Sequence, residues 1–170
     1  MVPKLEGIEE GIETGKVVTA IDALLHTEKV GSSAVIIGGG LIGCETALYL
    51  ARQGKKVTVV EMLETLAADM AWGNALELVK FLDDEGVKLL TKSRAVRVNG
   101  HGIDYIDESS EEKKIDAETV VIATGMKSSG QELIEELEKM PLEVIPIGDC
   151  LEPRKVMSAI WEGYRRARVN

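Results

Sequence analysis

Residues 34–61 read AVIIGGGLIGCETALYLARQGKKVTVVE, and the fold turns on how this stretch is parsed. Ala34-Val35-Ile36-Ile37 is a short unbroken apolar run between Gly31-Ser32-Ser33 and three glycines. Alternation is the mark of a half-exposed strand; an unbroken run is the mark of a strand covered on both faces, as in a parallel sheet. LIGCETALYLARQG then sets Ile42, Thr46, Ala47 and Leu50 on one helical face and stops at Gly54. Val57–Val60 is a second apolar strand, and it ends at Glu61. The stretch is therefore strand, glycine turn, helix, strand.

The turn carries chemistry. Residues 38–43 are Gly-Gly-Gly-Leu-Ile-Gly, so Gly38, Gly40 and Gly43 satisfy GxGxxG, with Gly39, Leu41 and Ile42 between them. The motif alone is weak. Here an apolar strand precedes it, a helix opens on it, and Glu61 closes the next strand 18 residues after Gly43. Gly38 permits the tight exit from the strand, Gly40 lets a pyrophosphate approach the backbone, and Gly43 lets helix and strand pack closely. The amides at the helix start, at the positive end of its dipole, would hold the phosphates. Glu61 would accept hydrogen bonds from the adenosine ribose. A carboxylate there favours the free 2′-hydroxyl of NAD(H) over the 2′-phosphate of NADP(H), and no arginine occurs in MLETLAADM, residues 62–70. The plain alternative is a glycine-rich turn that binds nothing.

Outward from this unit the pattern continues. Towards the N-terminus, residues 1–16 (MVPKLEGIEEGIETGK) read as a loop, and VVTAIDALLH (17–26) as a strand end and a short helix. Towards the C-terminus, 74–85 reads as a helix with Asn74 as N-cap and Leu78, Val79 and Leu82 inward, closed by Gly86 and followed by the strand VKLL. Short alternating segments at 94–98, 102–106 and 112–116, with Asn99-Gly100 at the first turn, predict a three-stranded antiparallel meander. The acidic stretch 104–118 reads as its solvated tip. TVVIATG (119–125) is again a continuous apolar strand, and 131–140 is helical. EVIPIGD (143–149) reads as a last strand despite Pro146, and 155–169 as a helix with Val156, Ala159, Ile160 and Trp161 inward. The fold class expected is α/β: a Rossmann-like parallel sheet with an antiparallel meander.

Composition narrows the function. The 170 residues carry 20 basic and 29 acidic side chains, a net charge of −9, which disfavours nucleic acid and anionic membrane as partners. No apolar run reaches the ~18–20 residues of a spanning helix, no leader opens the chain, and two distant cysteines form no CxxC, so a reduced, cytoplasmic protein is expected.

At this point the residues resemble a known family. GGGLIGCETALYLARQGKKVTVVEM, VVIATG and IGDCLEPRKVMSAIWEGYRRAR are similar to the pyridine-nucleotide half of flavoprotein oxidoreductases. More narrowly they resemble the C-terminal region of the NADH:flavin oxidoreductase group, which includes 2,4-dienoyl-CoA reductase, enoate reductases and trimethylamine dehydrogenase. The resemblance extends over nearly the whole chain, and the GDCxxPRK run with its following helix is its most specific part. It implies a crossover from an FAD domain at 1–29, an NAD(H)-binding Rossmann domain at 30–140, and a remnant of the FAD-binding domain at 141–170. It also implies a parent chain whose second nucleotide site holds FAD or, in some members, ADP, with FMN in a barrel and room for an iron–sulfur cluster, and whose flavin and barrel domains would be partners of this module. Those domains are not expected in these residues, so the piece is expected to bind dinucleotide without turning over substrate alone. Glu45 matches a glutamate near the nicotinamide, Gly125 a glycine lining the nicotinamide side, and Gly148-Asp149 the motif whose aspartate meets the flavin ribityl chain.

Blander readings stand beside these. Cys44 reads as a small buried hydrophobe and not an activated thiol, and Cys150 as structural. His26 and His101 lack partners at ligand spacing, so no metal is expected. Trp161 and Tyr164 read as core packing. The reading as an NADH-dependent electron-transfer module competes with a non-enzymatic NAD(H)-binding redox sensor. A short-chain dehydrogenase would need Tyr-x-x-x-Lys, whereas Tyr49, Tyr105 and Tyr164 are followed at that spacing by Gln53, Ser109 and Arg168. A homodimer through the C-terminal segment is the expected assembly of the isolated piece.

Overall fold

The computed structural model describes residues 5–169. The chain divides into two compact units, Met1–Gly125 and Met126–Asn170. In the first, the elements in order are α1 (Ile8–Glu13), β1 (Val17–Thr19), α2 (Ala20–Leu25), β2 (Ser33–Ile37), α3 (Leu41–Arg52) and β3 (Lys56–Val60). These are followed by α4 (Trp72–Asp84), β4 (Lys88–Leu90), β5 (Arg94–Asn99), β6 (Gly102–Ile106), β7 (Glu112–Asp116) and β8 (Thr119–Ile122). The second unit holds α5 (Gln131–Leu137), a 3-10 turn at Gly148–Cys150, and α6 (Val156–Val169).

Five strands form one sheet in the order β1-β8-β2-β3-β4, and every pairing in it is parallel. Strands β5-β6-β7 form a separate antiparallel sheet. Each central strand faces two ways. Ile36, Val59 and Val121 point with Leu50, Leu82 and Cys44 into a core between the sheet and its helices. Val35, Ile37, Val60, Val120 and Ile122 point into a second core, closed by Ala95, Val98, Ile103 and Tyr105 of the antiparallel sheet and by Ile8. That double burial is why AVII, VTVV and TVVI carry no alternation of apolar and charged residues, only the buried threonines Thr58 and Thr119 interrupting the aliphatic side chains. Each large side chain fully removed from water contributes about 1.5–3 kcal/mol.

The N-terminal edge of the parallel sheet is stitched by polar side chains. The Glu118 carboxylate accepts the Ser32 amide at 2.8 Å and the Ser32 hydroxyl at 2.9 Å. Lys16 Nζ donates to the Ala117 carbonyl at 2.8 Å, and Lys55 Nζ donates to the carbonyls of Val30 and Gly31. The Ser32 bonds hold the Glu118 carboxyl below the usual range.

Several expectations are corrected. Residues 8–13 form α1, not loop, while residues 1–4 of that expected loop lie outside the described residues. Gly11, within that expected loop, is buried inside the helix, where a Cβ would stand 2.4 Å from Val17 Cγ2; its smallness lets α1 lie against β1. Asn74 is not a cap, because α4 begins two residues earlier, at Trp72. The acidic stretch 104–118 is not uniformly solvated: Asp104 is buried, accepts a hydrogen bond from Asn99 Nδ2 at 3.0 Å and lies 3.5 Å from Arg97 Nε. EVIPIGD forms no strand. Among the described residues nothing pairs with it, and Pro146 has no amide to offer a ladder. Val156, Ile160 and Trp161 do not point inward on α6: they are 76%, 60% and 51% exposed. Trp161 and Tyr164 form an edge-on pair at 5.9 Å on that exposed face.

Candidate dinucleotide site

At their C-terminal ends β2, β3 and β8 bring three chain segments to one place. Gly38 leaves β2 with φ +107°, and a Cβ there would lie 2.6 Å from the Ala123 carbonyl oxygen, so this turn admits only glycine. Gly43 is tighter still: a Cβ would sit 1.9 Å from the Gly38 carbonyl oxygen. Gly40 is the opposite case, since a Cβ there would meet nothing within 4 Å. Its backbone faces open space at the start of α3, which is the room that a bound pyrophosphate needs. The three glycines therefore separate into two that pack the turn and one that leaves it bare.

Glu61 is buried, 8% exposed. One carboxylate oxygen accepts the Gly39 amide at 2.6 Å and the other accepts the Leu63 amide at 2.8 Å. The acid thus ties the end of β3 to the glycine turn. The loop after β3 is fastened to the same turn: the Ala67 amide donates to the Gly39 carbonyl at 2.7 Å, and Asp69 Oδ1 accepts the Leu41 amide at 3.1 Å. An anion thus already sits on the first amide of α3.

A cavity of about 510 Å³ opens beside these groups. Gly38 and Gly40 form one wall, Val60, Glu61 and Met62 a second, and Thr124 and Gly125 a third. Gly125 has φ +93° and is exposed. The fourth wall comes from the start of the antiparallel sheet, Ser93, Arg94 and Ala95, where the Ser93 amide donates to the Glu61 carbonyl at 2.9 Å. Leu41 and Ile42 are half-buried in the first turn of α3, and Glu45 is exposed on its second turn without lining the cavity. Gly148 and Asp149 belong to the second unit. There Gly148 is buried with φ +63°, its amide donates to Glu162 at 2.7 Å, and Asp149 Oδ1 accepts the Arg154 amide at 3.3 Å.

Cys44 is fully buried, and burial pushes its thiol up to about 11, with the Glu61 charge adding to the effect and the Ala67 backbone opposing it. It is inert packing. Among the described residues no group of three or more His, Cys, Asp or Glu could hold a metal ion, and no helix is long and apolar enough to cross a membrane. Sequence reasoning missed Asp69 and the β5 wall. Neither lies inside the fingerprint, and no local pattern places either beside it.

A doubly covered parallel sheet with a bare glycine turn and a carboxylate at the next strand end defines a dinucleotide-binding oxidoreductase fold. The family model described as pyridine nucleotide-disulphide oxidoreductase matches residues 1–163, and the chain belongs to that family. It is 32% identical over 169 residues to an NADH oxidase from Thermoanaerobacter brockii, covering 98% of this chain and 26% of that protein. It is 33% identical over 156 residues to a cinnamate reductase from Clostridium sporogenes, covering 90% of this chain and 23% of that one. The structure of a 2-naphthoyl-CoA reductase superposes with a TM-score of 0.86 at 33% identity, covering 97% of this chain and 24% of that chain. The chain therefore spans about a quarter of the length of these relatives.

Proposed function

We propose that the chain is the NAD(H)-binding module of a flavin-dependent oxidoreductase of the NADH:flavin oxidoreductase kind, holding NADH for hydride transfer to a flavin. The observation that carries this is Gly40: open backbone at a helix start, flanked by glycines that the packing requires and facing the Glu61 cavity. NADH, when bound, supplies the hydride. The protein's part is placement. The α3 amides receive the pyrophosphate, Glu61 lies at the ribose end, and Thr124 and Gly125 edge the cavity where the nicotinamide would extend. The buried Glu61 charge favours NADH over NADPH. Residues 30–140 are the NAD(H) portion in this reading, 1–29 the crossover into it, and 141–170, with Gly148 and Asp149, a contribution to the flavin-binding unit. Val156, Met157, Ile160, Trp161 and Tyr164 expose an apolar stripe along α6, which a second copy covers when these 170 residues are studied alone.

Calorimetric titration tests the reading. The chain should bind NADH at a one-to-one ratio, and Gly40→Val should abolish binding with the melting temperature nearly unchanged, because the new side chain enters only the phosphate space. Normal NADH binding by Gly40→Val would mean that the turn is structural.

A further inference from the structure

The cofactor preference drawn from Glu61 assumes that its carboxylate is available to the adenosine ribose. Both of its oxygens already accept backbone amides, from Gly39 at 2.6 Å and Leu63 at 2.8 Å, and the residue is 8% exposed. Much of its charge is therefore answered by the protein's own dipoles. A carboxylate so engaged repels an incoming phosphate less than a bare one does.

In the same cavity stands a cation from another sheet. Arg94 opens β5 and lines the cavity with Glu61 and Met62. The backbone beside it is tied to the end of β3, since the Ser93 amide donates to the Glu61 carbonyl at 2.9 Å. Arg94 is exposed, and among the described residues no acidic side chain forms an ion pair with it. Arg97, three residues on, is by contrast within 4 Å of Glu6, Asp104 and Glu112. A guanidinium offers a planar fork of donors that suits a phosphate monoester, and an unpaired one gives up no internal partner to bind it.

We propose that Arg94 is a specificity-determining residue of the dinucleotide site, receiving the 2′-phosphate of NADPH, so that the module accepts both cofactors with NADH preferred. The inference rests on the dinucleotide reading given above. It makes cofactor choice a balance between two groups on different sheets: a muted carboxylate at the end of β3 and a cation at the start of β5.

Calorimetric titration of NADH and NADPH against the wild type, Arg94→Gln and Arg94→Lys tests it. Wild type should bind NADPH measurably though more weakly than NADH. In Arg94→Gln the Kd for NADPH should rise about tenfold while that for NADH changes less than threefold; Arg94→Lys should fall between. Adenosine 2′,5′-bisphosphate against 5′-AMP should repeat the split without the nicotinamide half. Equal losses for both cofactors, no change in either, or no NADPH binding by the wild type would overturn the role of Arg94 and leave dinucleotide binding intact. A wild type that binds neither cofactor would overturn the dinucleotide reading, and this inference with it.

Discussion

Replacing Glu61 by glutamine leaves one acceptor oxygen where two backbone amides now share a charged carboxylate. A hydrogen bond to a charged group contributes about 1.5–3 kcal/mol, so urea denaturation of Glu61→Gln should show a loss of that order before any cofactor is added. Unchanged stability would mean that the Gly39 and Leu63 amides are answered in other ways. Gly43 gives the counterpart of Gly40. A methyl group at Gly43 meets the Gly38 carbonyl, so Gly43→Ala should lower stability by about 3 kcal/mol or more, whereas Gly40→Val should remove binding alone. One motif thus contains a folding glycine and a binding glycine, and melting curves beside titrations separate them.

At the scale of elements, the loop between β3 and α4 is fastened to the glycine turn through Ala67 and Asp69. Asp69 sits on the amide that a pyrophosphate would take. Asp69→Asn should therefore strengthen NADH binding by about 0.3–1 kcal/mol, the usual worth of a charge at a helix N-terminus, and titration reads it directly. Equal affinity would mean that the phosphate bypasses the Leu41 amide. The legibility of the sequence divides along similar lines. β2, β3 and β8 were readable because strands buried on both sides leave unbroken apolar runs. The meander was readable because Asn99-Gly100 marks its turn; in the structure Asn99 Oδ1 accepts the amides of His101 and Gly102, both at 2.9 Å. α1 was hidden by Gly11, whose reason is contact with Val17 and not a turn. Residues 143–149 misled because apolarity alone cannot say whether a neighbouring strand exists to pair with. Asp69 and Arg94 were illegible because they reach the site from 28 residues beyond Leu41 and 33 beyond Glu61, and only the fold makes them neighbours.

For the molecule as a whole, the exposed stripe on α6 predicts the solution state. If a second copy covers it, light scattering should show a dimer of the 170-residue chain, and Ile160→Glu should give a monomer with an NADH affinity unchanged. A wild-type monomer at high concentration would remove that expectation. The two ends of the parallel sheet also answer to different demands. The glycine turn, Glu61, Thr124 and Gly125 lie at the C-terminal ends of the parallel strands, with Asp69 and Arg94 brought to that same end, while Glu118, Lys16 and Lys55 seam the opposite end with bonds to Ser32, Ala117, Val30 and Gly31. That separation makes the seam a workbench for protein engineering. A library built at 16, 32, 55 and 118 can be selected for heat resistance without retuning cofactor choice, and one built at 61, 69 and 94 can then be selected for a new cofactor on the hardened scaffold.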